Sequence, residues 1–144
     1  MNRFIYFLMC FFIVSSCDKE DDPVNFSINL LNTNPTEIIE FQENIYVRLF
    51  YQHPDGFIGF SDPDYLSLEV KDSRLSQPDY YHIIPVTPPD NSLSVTGELL
   101  VEIDSPFLFG NGLIEIVNYT IRIQDQDLRW SNSITTPDIT VIRQ

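Results

Sequence analysis

The feature that most constrains the fold is an alternation of apolar and polar residues that recurs after residue 24. It is clearest in residues 117–123 and 44–51, and it returns in residues 26–30, 66–70, 93–103 and 139–141. A period of two with β-branched and aromatic side chains is typical of half-buried strands. No stretch keeps an apolar period of 3.6 residues over three turns, and alanine is absent from the whole sequence. The sequence therefore predicts an all-β fold.

Turn residues separate these segments. Ten prolines and five glycines fall mostly between them, where proline fixes φ and glycine frees it. About seven short strands spaced in this way predict a single immunoglobulin-like β-sandwich over residues 25–144. We expect Gly97 to mark a bulge in the segment 93–103. Tyr119 is expected either at a tyrosine corner or as an ordinary core residue.

The N-terminal residues have the character of a leader. Residues 1–3 form a short region made basic by Arg3, and residues 4–14 are apolar and uncharged. Ser15 and Ser16 are small, and Cys17 follows. This order is typical of a secretory signal peptide, and the apolar run is about half of the roughly 20 residues that span a bilayer. The aliphatic-small-small-Cys sequence resembles the lipobox of bacterial lipoproteins. The resemblance implies a signal peptide over residues 1–16, acylation of Cys17 with palmitate-type chains and a membrane anchor. The alternative is a secreted protein in which Cys17 stands by chance.

An acidic tether over residues 17–24 follows the leader. Behind Cys17 come Asp18, Lys19, Glu20, Asp21 and Asp22. The stretch resembles the export signal of surface lipoproteins of the Bacteroidota, which implies a place on the outer face of the outer membrane. The periplasmic face is an alternative, and aspartate directly after the cysteine is associated with inner-membrane retention in enterobacterial lipoproteins. The blandest interpretation is a solvated linker.

Charge and cysteine usage exclude several classes of function. The formal net charge is −13, which repels phosphate backbones, so no nucleic-acid partner is expected. The sequence has two cysteines; Cys10 lies in the leader and Cys17 would carry lipid. No thiol then remains for a disulfide, a zinc site or a nucleophile. The domain is expected to be held by its apolar core alone.

A family resemblance covers most of the domain. The matching fragments include DGFIG and YTIRIQD, and in full they are residues 45–51, 55–59, 62–64, 70–74, 80–81 with 84–85, 95–97, 119–125, and 131–132 with 135–137. In this order they resemble the small lipoproteins of the Bacteroidota that carry an Ig-like domain and have no established activity. The family has more Gly and Asp in the first loop, where this chain has Phe57-Ile58, and Gly-Asn where it has Arg129-Trp130. The resemblance implies a fold and a location, and no chemistry.

Clustered aspartates suggest one candidate metal site. Asp55, Asp62 and Asp64 lie close together in the loop 53–64, and carboxylates with loop carbonyls are ligands that calcium prefers. The spacing is not that of an EF-hand, and aspartate is also common in turns. Asp125 and Asp127 form a second acidic spot. Calcium is therefore the one cofactor that the sequence suggests, and otherwise none is expected.

Aromatic residues in loops suggest a ligand surface. Phe57, Phe60 and Trp130 are the candidate ligand-binding residues, since loop aromatics stack on sugars or anchor protein interfaces. The alternative is that most of the loop aromatics cap the core. A glycan or calcium site would draw on the loop 55–64 together with the segment 107–130.

No catalytic set is recognisable. His53 and His82 have no partner nearby in sequence, and we expect both at the surface or at an edge. Glu98 and Glu102 fall on one face of a strand, facing water. Nucleophile-elbow, HExxH and phosphate-loop motifs are absent from the sequence. We therefore expect no enzyme. The predicted function is a lipid-anchored protein-binding or accessory subunit of an outer-membrane assembly, and the alternative is a glycan- or calcium-binding surface module.

Overall fold

A computed structural model describes residues 25–56, 58–85 and 94–144. These residues contain strands and no helix, which confirms the all-β prediction. The strands, in chain order, are β1 (Ser27–Asn34), β2 (Glu37–Ile39), β3 (Ile45–His53), β4 (Leu68–Asp72), β5 (Asp79–Tyr81), β6 (Val95–Ile103), β7 (Ile114–Val117), β8 (Tyr119–Ile123), β9 (Ile134–Thr135) and β10 (Ile139–Ile142).

The strands form two layers. One layer is the antiparallel sheet β1-β3-β6, and the other contains the sheets β5-β4-β8-β9 and β2-β10-β7. Only Asn118 separates β7 from β8, and the ladder continues across the gap, because the Thr136 N–H donates to the Tyr119 carbonyl at 2.9 Å. The Tyr119 N–H in turn donates to the Thr136 hydroxyl at 3.0 Å. The architecture is therefore a β-sandwich.

The core lies between the two layers. Alternate residues of β3 and β8 are buried, as the period of two requires for strands with one solvated face. Inward residues of both layers form a single apolar cluster, which includes Ile28, Val47, Leu49, Val117, Ile121, Ile139 and Val141, all at 0% exposure. Tyr119 belongs to this cluster, and burial raises the pKa of its phenol to about 12.

Gly97 does not mark a bulge, and that prediction is wrong. The register of β6 on β3 runs without a shift from Val95 to Ile103. A Cβ atom on Gly97 would stand 2.5 Å from the Tyr51 hydroxyl, so the glycine makes room for that ring. The irregularity lies instead in β1, between Leu30 and Asn32.

The sandwich has two ends, and different groups of loops lie at each. At the near end the described chain begins with Asn25, and His53 of β3 pairs with Val95 of β6. At the far end Asn34 closes β1, and Ile45 pairs with Ile103. Since an extended residue rises about 3.3 Å, the eight residues of β1 separate the two ends by about 25 Å.

Candidate functional site

The structure divides the predicted site residues between the two ends. Ile58 forms a β-bridge with Asp125, and Gln124 forms one with Trp130, so the loop 54–66 and the turn 124–130 meet at the near end. Phe107 lies at the far end, where its carbonyl accepts from Arg74. A single ligand site built from residues 55–64 and 107–130 is therefore not formed.

The aspartates proposed for calcium have other partners. The Asp62 carboxylate accepts from the Asp64 backbone N–H at 3.0 Å, which is a local turn contact. Asp55 lies 3.7 Å from the Arg129 guanidinium. Within the described ranges 25–56, 58–85 and 94–144, no three His, Cys, Asp or Glu side chains are grouped so that they could hold a metal ion. The structure therefore does not assemble the calcium site predicted from Asp55, Asp62 and Asp64.

His53 is buried rather than at the surface, and that prediction is wrong. Its side chain is 1% exposed, and Nε2 lies 3.1 Å from Oδ2 of Asp125, which is equally buried. The Asp55 backbone N–H donates to His53 Nδ1 at 3.1 Å. Because Nδ1 must accept this bond, the ring is the neutral tautomer that donates from Nε2 to Asp125. Both nitrogens are thus engaged, and His53 links β3 to the turn 124–130.

Asp125 is the centre of this buried cluster. Its carboxylate also accepts from the Arg129 backbone N–H and from Arg129 Nε, each at 2.8 Å. Burial alone would raise the pKa of Asp125, but the bonds from the Arg129 backbone, His53 and the Arg129 guanidinium outweigh burial and lower it. Asp127, the other residue of the predicted second acidic spot, lies 3.2 Å from the same guanidinium. The arrangement stabilises a turn, and the Asp125 carboxylate has no face open to a ligand.

The candidate aromatic residues at the near end are partly covered. The Arg122 guanidinium lies 4.3 Å from the centre of the Trp130 ring and forms a bidentate ion pair with Glu69. Phe60 stacks on Tyr65 with 3.8 Å between ring centres. Phe57 lies outside the described residues. Trp130 and Phe60 therefore pack against neighbours within the domain, and neither belongs to the apolar core or packs against it.

The remaining sequence candidates lie along β6 and beside it. Glu98 and Glu102 are exposed on the same face of β6, as predicted, and Glu102 accepts from Asn44 and Tyr46. His82 is partly buried, with Nδ1 3.1 Å from the Tyr65 carbonyl.

A surface that the sequence interpretation missed lies at the far end. Ile114 and Ile116 of β7 point outward and are 58% and 60% exposed, and Ile39 of β2 lies across β10 from Ile114. Next to Ile39, Phe41 stacks on Phe107 at 5.6 Å between ring centres. We define the far-end surface as Ile39, Phe41, Phe107, Phe109, Leu113, Ile114 and Ile116, all of which are exposed. The alternation of Ile114, Glu115 and Ile116 indicates a strand, but it does not show which face of that strand is exposed.

Hydrogen bonds from charged side chains hold the backbone of the loop in the far-end surface. The buried Glu40 accepts from the Leu108 backbone N–H, and Glu115 accepts from the backbone of Phe109 and Gly110. Those two backbone bonds, with the Arg74 guanidinium, lower the pKa of Glu115. Arg143 donates to the carbonyls of Gly110 and Gly112. Charged side chains therefore fix a loop whose apolar side chains face solvent.

Phe41 adds a second unusual feature to the far-end surface. Its φ is 64°, in the left-handed region that a bulky side chain adopts only at a cost. Its ring is nevertheless 65% exposed. The fold thus holds a phenylalanine in a strained conformation without burying it.

A groove runs between the layers along one side of the sandwich. It lies between the edge strands β5 and β6 and contains two adjoining cavities of about 360 and 460 Å³, which share Val70, Tyr81 and Ile103. We call it the edge groove. Its walls are mostly apolar, and they include Leu68, Val70, Tyr81, Ile83, Leu99, Val101 and Ile103.

The leader and tether are outside the described part of the chain. The predictions for Cys17 and for Asp18, Lys19, Glu20, Asp21 and Asp22 fall there, and they stay predictions. In the part of the chain that the structure describes, none of the elements is a helix of the length and apolarity that crossing a bilayer requires.

Comparison with known proteins adds no relative. The sequence matches no protein-family model, and neither a curated protein nor a solved structure gives a significant match. The resemblance to Bacteroidota lipoproteins therefore stays a prediction from sequence fragments.

Proposed function

We propose that this chain is a lipid-anchored, non-enzymatic protein-binding module that docks, as an accessory subunit, on an outer-membrane protein assembly. The observation that carries the proposal is the far-end surface. Ile39 and Ile114 flank β10, and Phe107 contacts both Phe41 and Phe109. Exposed apolar side chains grouped in this way are a property of interaction sites, and aromatic residues are enriched at the centres of protein interfaces.

The rigidity of the far-end surface supports a role in binding rather than exposure without a function. Its loop is held by Glu40, Glu115 and Arg143, so little conformational freedom is left to lose when a partner binds. An immunoglobulin-like identity is also part of the proposal. The pairing of β1, β3 and β6 opposite β4, β8 and β9 corresponds to strands A, B and E opposite C, F and G of that fold.

The position of the surface favours a protein partner over the lipid surface. In the proposed precursor the tether joins the domain at the near end, about 25 Å from the far-end surface. A net charge of −13 opposes contact with anionic headgroups and with a second copy of the chain. The proposed partner is therefore another envelope protein that has an exposed apolar patch.

The docking test compares three forms of the tagged, full-length protein purified from detergent-solubilised outer membrane. They are the wild type, a variant with Ile114→Thr and Ile116→Thr, and a control with Leu31→Thr and Leu66→Thr, two exposed leucines elsewhere. Threonine keeps the β propensity and removes apolar area. We expect one outer-membrane protein at constant stoichiometry with the wild type and the control, and about tenfold less with the far-end variant. Equal recovery with all three would contradict the proposal.

The anchor and its orientation are tested separately. Cys17→Ala should release the protein from the membrane fraction, and intact-mass measurement of the wild type should show acyl chains on Cys17. Protease added to intact cells should digest a surface-exposed domain. A domain protected in intact cells and digested after the outer membrane is permeabilised would place it on the periplasmic face.

A further inference from the structure

We propose that the edge of β6 opposite β3 and the edge groove beneath it bind an extended segment of a partner protein in which apolar and basic residues alternate. The inference centres on β6 and on the cavity of about 360 Å³ beneath it. The other cavity of the edge groove borders the far-end surface at Phe107 and Phe109, but the inference holds whether or not the far-end surface docks.

The first argument is the edge itself. All nine residues of β6 pair with β3, and among the described residues no strand pairs with the other side of β6. Such an edge presents a row of backbone donors and acceptors to solvent. An extended peptide can bind there as an additional strand, with main-chain hydrogen bonds giving affinity and alternate side chains giving specificity.

The second argument is the incomplete cover of the inward side chains of β6. Leu99 and Ile103 are only partly buried, whereas their partners Leu49 and Ile45 on β3 are fully buried. The adjoining cavity of about 360 Å³ is lined mainly by apolar side chains. It has room for two or three aliphatic side chains, which an added strand would supply at every second residue.

The third argument is charge. Glu98 and Glu102 project from the outer face of β6, and Asp79 and Asp104 line the neighbouring cavity. In the described residues Arg74 and His82 line this groove; Arg74 is bonded to Asp72 and Glu115. On the outer face Arg48 of β3 lies 3.7 Å from Glu98 in an exposed ion pair, so two carboxylates of β6 face one cation there. Residues of an added strand that face outward would lie beside Glu98 and Glu102, where lysine or arginine gives favourable cross-strand pairs.

The same glutamates disfavour a second copy as the occupant. If two β6 edges paired antiparallel about Leu100, each Glu98 would stand opposite a Glu102 of the other copy, and like charges directly opposite are destabilising. Each copy also carries a net charge of −13. The groove therefore fits a cationic partner segment.

The test uses the domain in the full chain and three nine-residue peptides with blocked termini at 150 mM salt. One peptide alternates valine and lysine, a second has the same composition with the valines and lysines in separate blocks, and a third alternates valine and glutamate. Isothermal titration calorimetry gives the affinities. We expect the alternating valine–lysine peptide to bind at least about tenfold more tightly than either of the others.

A charge reversal identifies the binding strand. The variant Glu98→Lys with Glu102→Lys should lose affinity for the valine–lysine peptide and prefer the valine–glutamate peptide. The matched control is Glu37→Lys with Glu43→Lys, which changes the net charge equally at exposed positions of β2 and the loop after it. Thermal melts check that both variants fold, and the control should retain the wild-type order of affinities.

Three results would overturn the proposal. Equal affinity for the alternating valine–lysine peptide and for the peptide with valines and lysines in separate blocks would mean unspecific attraction to an acidic protein. Equal effects of the two charge-reversal variants would place binding away from β6. A wild-type dimer in sedimentation that becomes tighter when the wild type is mixed with the Glu98→Lys, Glu102→Lys variant would make a second copy the occupant, because the mixture sets Glu opposite Lys. None of these outcomes bears on recovery of the partner through Ile114 and Ile116, so the two proposals fail separately.

Discussion

At the scale of single residues, the near end is dominated by buried polar groups. Sequence reasoning identified Asp55, Asp125 and His53 as chemical groups but could not pair them, because 72 residues separate His53 from Asp125. Their contact follows from the sandwich, which brings the end of β3 against the turn after β8. Of the loop aspartates, Asp62 accepts a bond within its own turn and Asp55 lies beside Arg129, contacts that the sequence pattern does not reveal.

The Asp125 carboxylate should be a main determinant of stability at this end. Asp125→Asn removes the charge that His53 and Arg129 share, and a hydrogen bond to a charged group contributes about 1.5–3 kcal/mol. We expect the free energy of unfolding at pH 7 to fall by about that amount in urea titrations. Asp127→Asn is the matched control, since Asp127 is exposed in the same turn, and it should change stability by less than about 0.5 kcal/mol. Equal losses in the two variants would contradict the role given to Asp125.

The difference between these variants should depend on pH. The pKa of Asp125 is lower in the folded protein than its ordinary value of 3.8, so its contribution is complete above that value and is lost as pH falls through the folded-state pKa. Urea titrations between pH 7 and pH 2 should show the wild type converging on Asp125→Asn at the acid end. A constant gap across this range would show that the charge of Asp125 is not what stabilises the turn.

At the scale of elements, the longer strands were predictable and the short ones were not. β3, β6 and β8 have five or more residues, so a period of two is visible in them. β2, β5 and β9 have only two or three residues, too few to show a period. β2 also pairs parallel to β10, across about a hundred residues of chain. Because β2 was missed, so was the sheet whose outer face is the far-end surface.

Gly97 offers a test of how β3 and β6 pack. Gly97→Ala would place a methyl group against the Tyr51 ring, and overpacking of this kind costs about 1–3 kcal/mol. Gly112→Ala is the control, because the nearest atom to its new methyl group would be at an ordinary 3.5 Å. Chemical denaturation should show a loss for Gly97→Ala and a change within about 0.5 kcal/mol for Gly112→Ala. An unchanged Gly97→Ala variant would mean that Tyr51 moves aside freely.

At the scale of the whole molecule, the net charge determines which partners are disfavoured, and the fold determines where apolar side chains are exposed. The excess of acidic residues is evident from the composition. It disfavours anionic partners and self-association without specifying a fold. The positions of exposed apolar residues could not be predicted from the sequence, because an exposed isoleucine and a buried one look the same in a strand pattern. Only the pairing of β7 with β10 shows that Ile114 and Ile116 face outward while Val117 faces the core.

The placement of the two ends has a mechanical consequence. Suppose that a bilayer holds the chain before Asn25 while a bound protein pulls on the opposite tip. The load then runs parallel to β1, whose hydrogen bonds to β3 from Ser27 to Asn34 lie across the direction of pulling. Bonds in that geometry share the force and must break together, whereas a hairpin pulled open from one side loses them one at a time. If the anchor and the docking partner exist as proposed, tension between them loads the hydrogen bonds of the β1–β3 pair in shear.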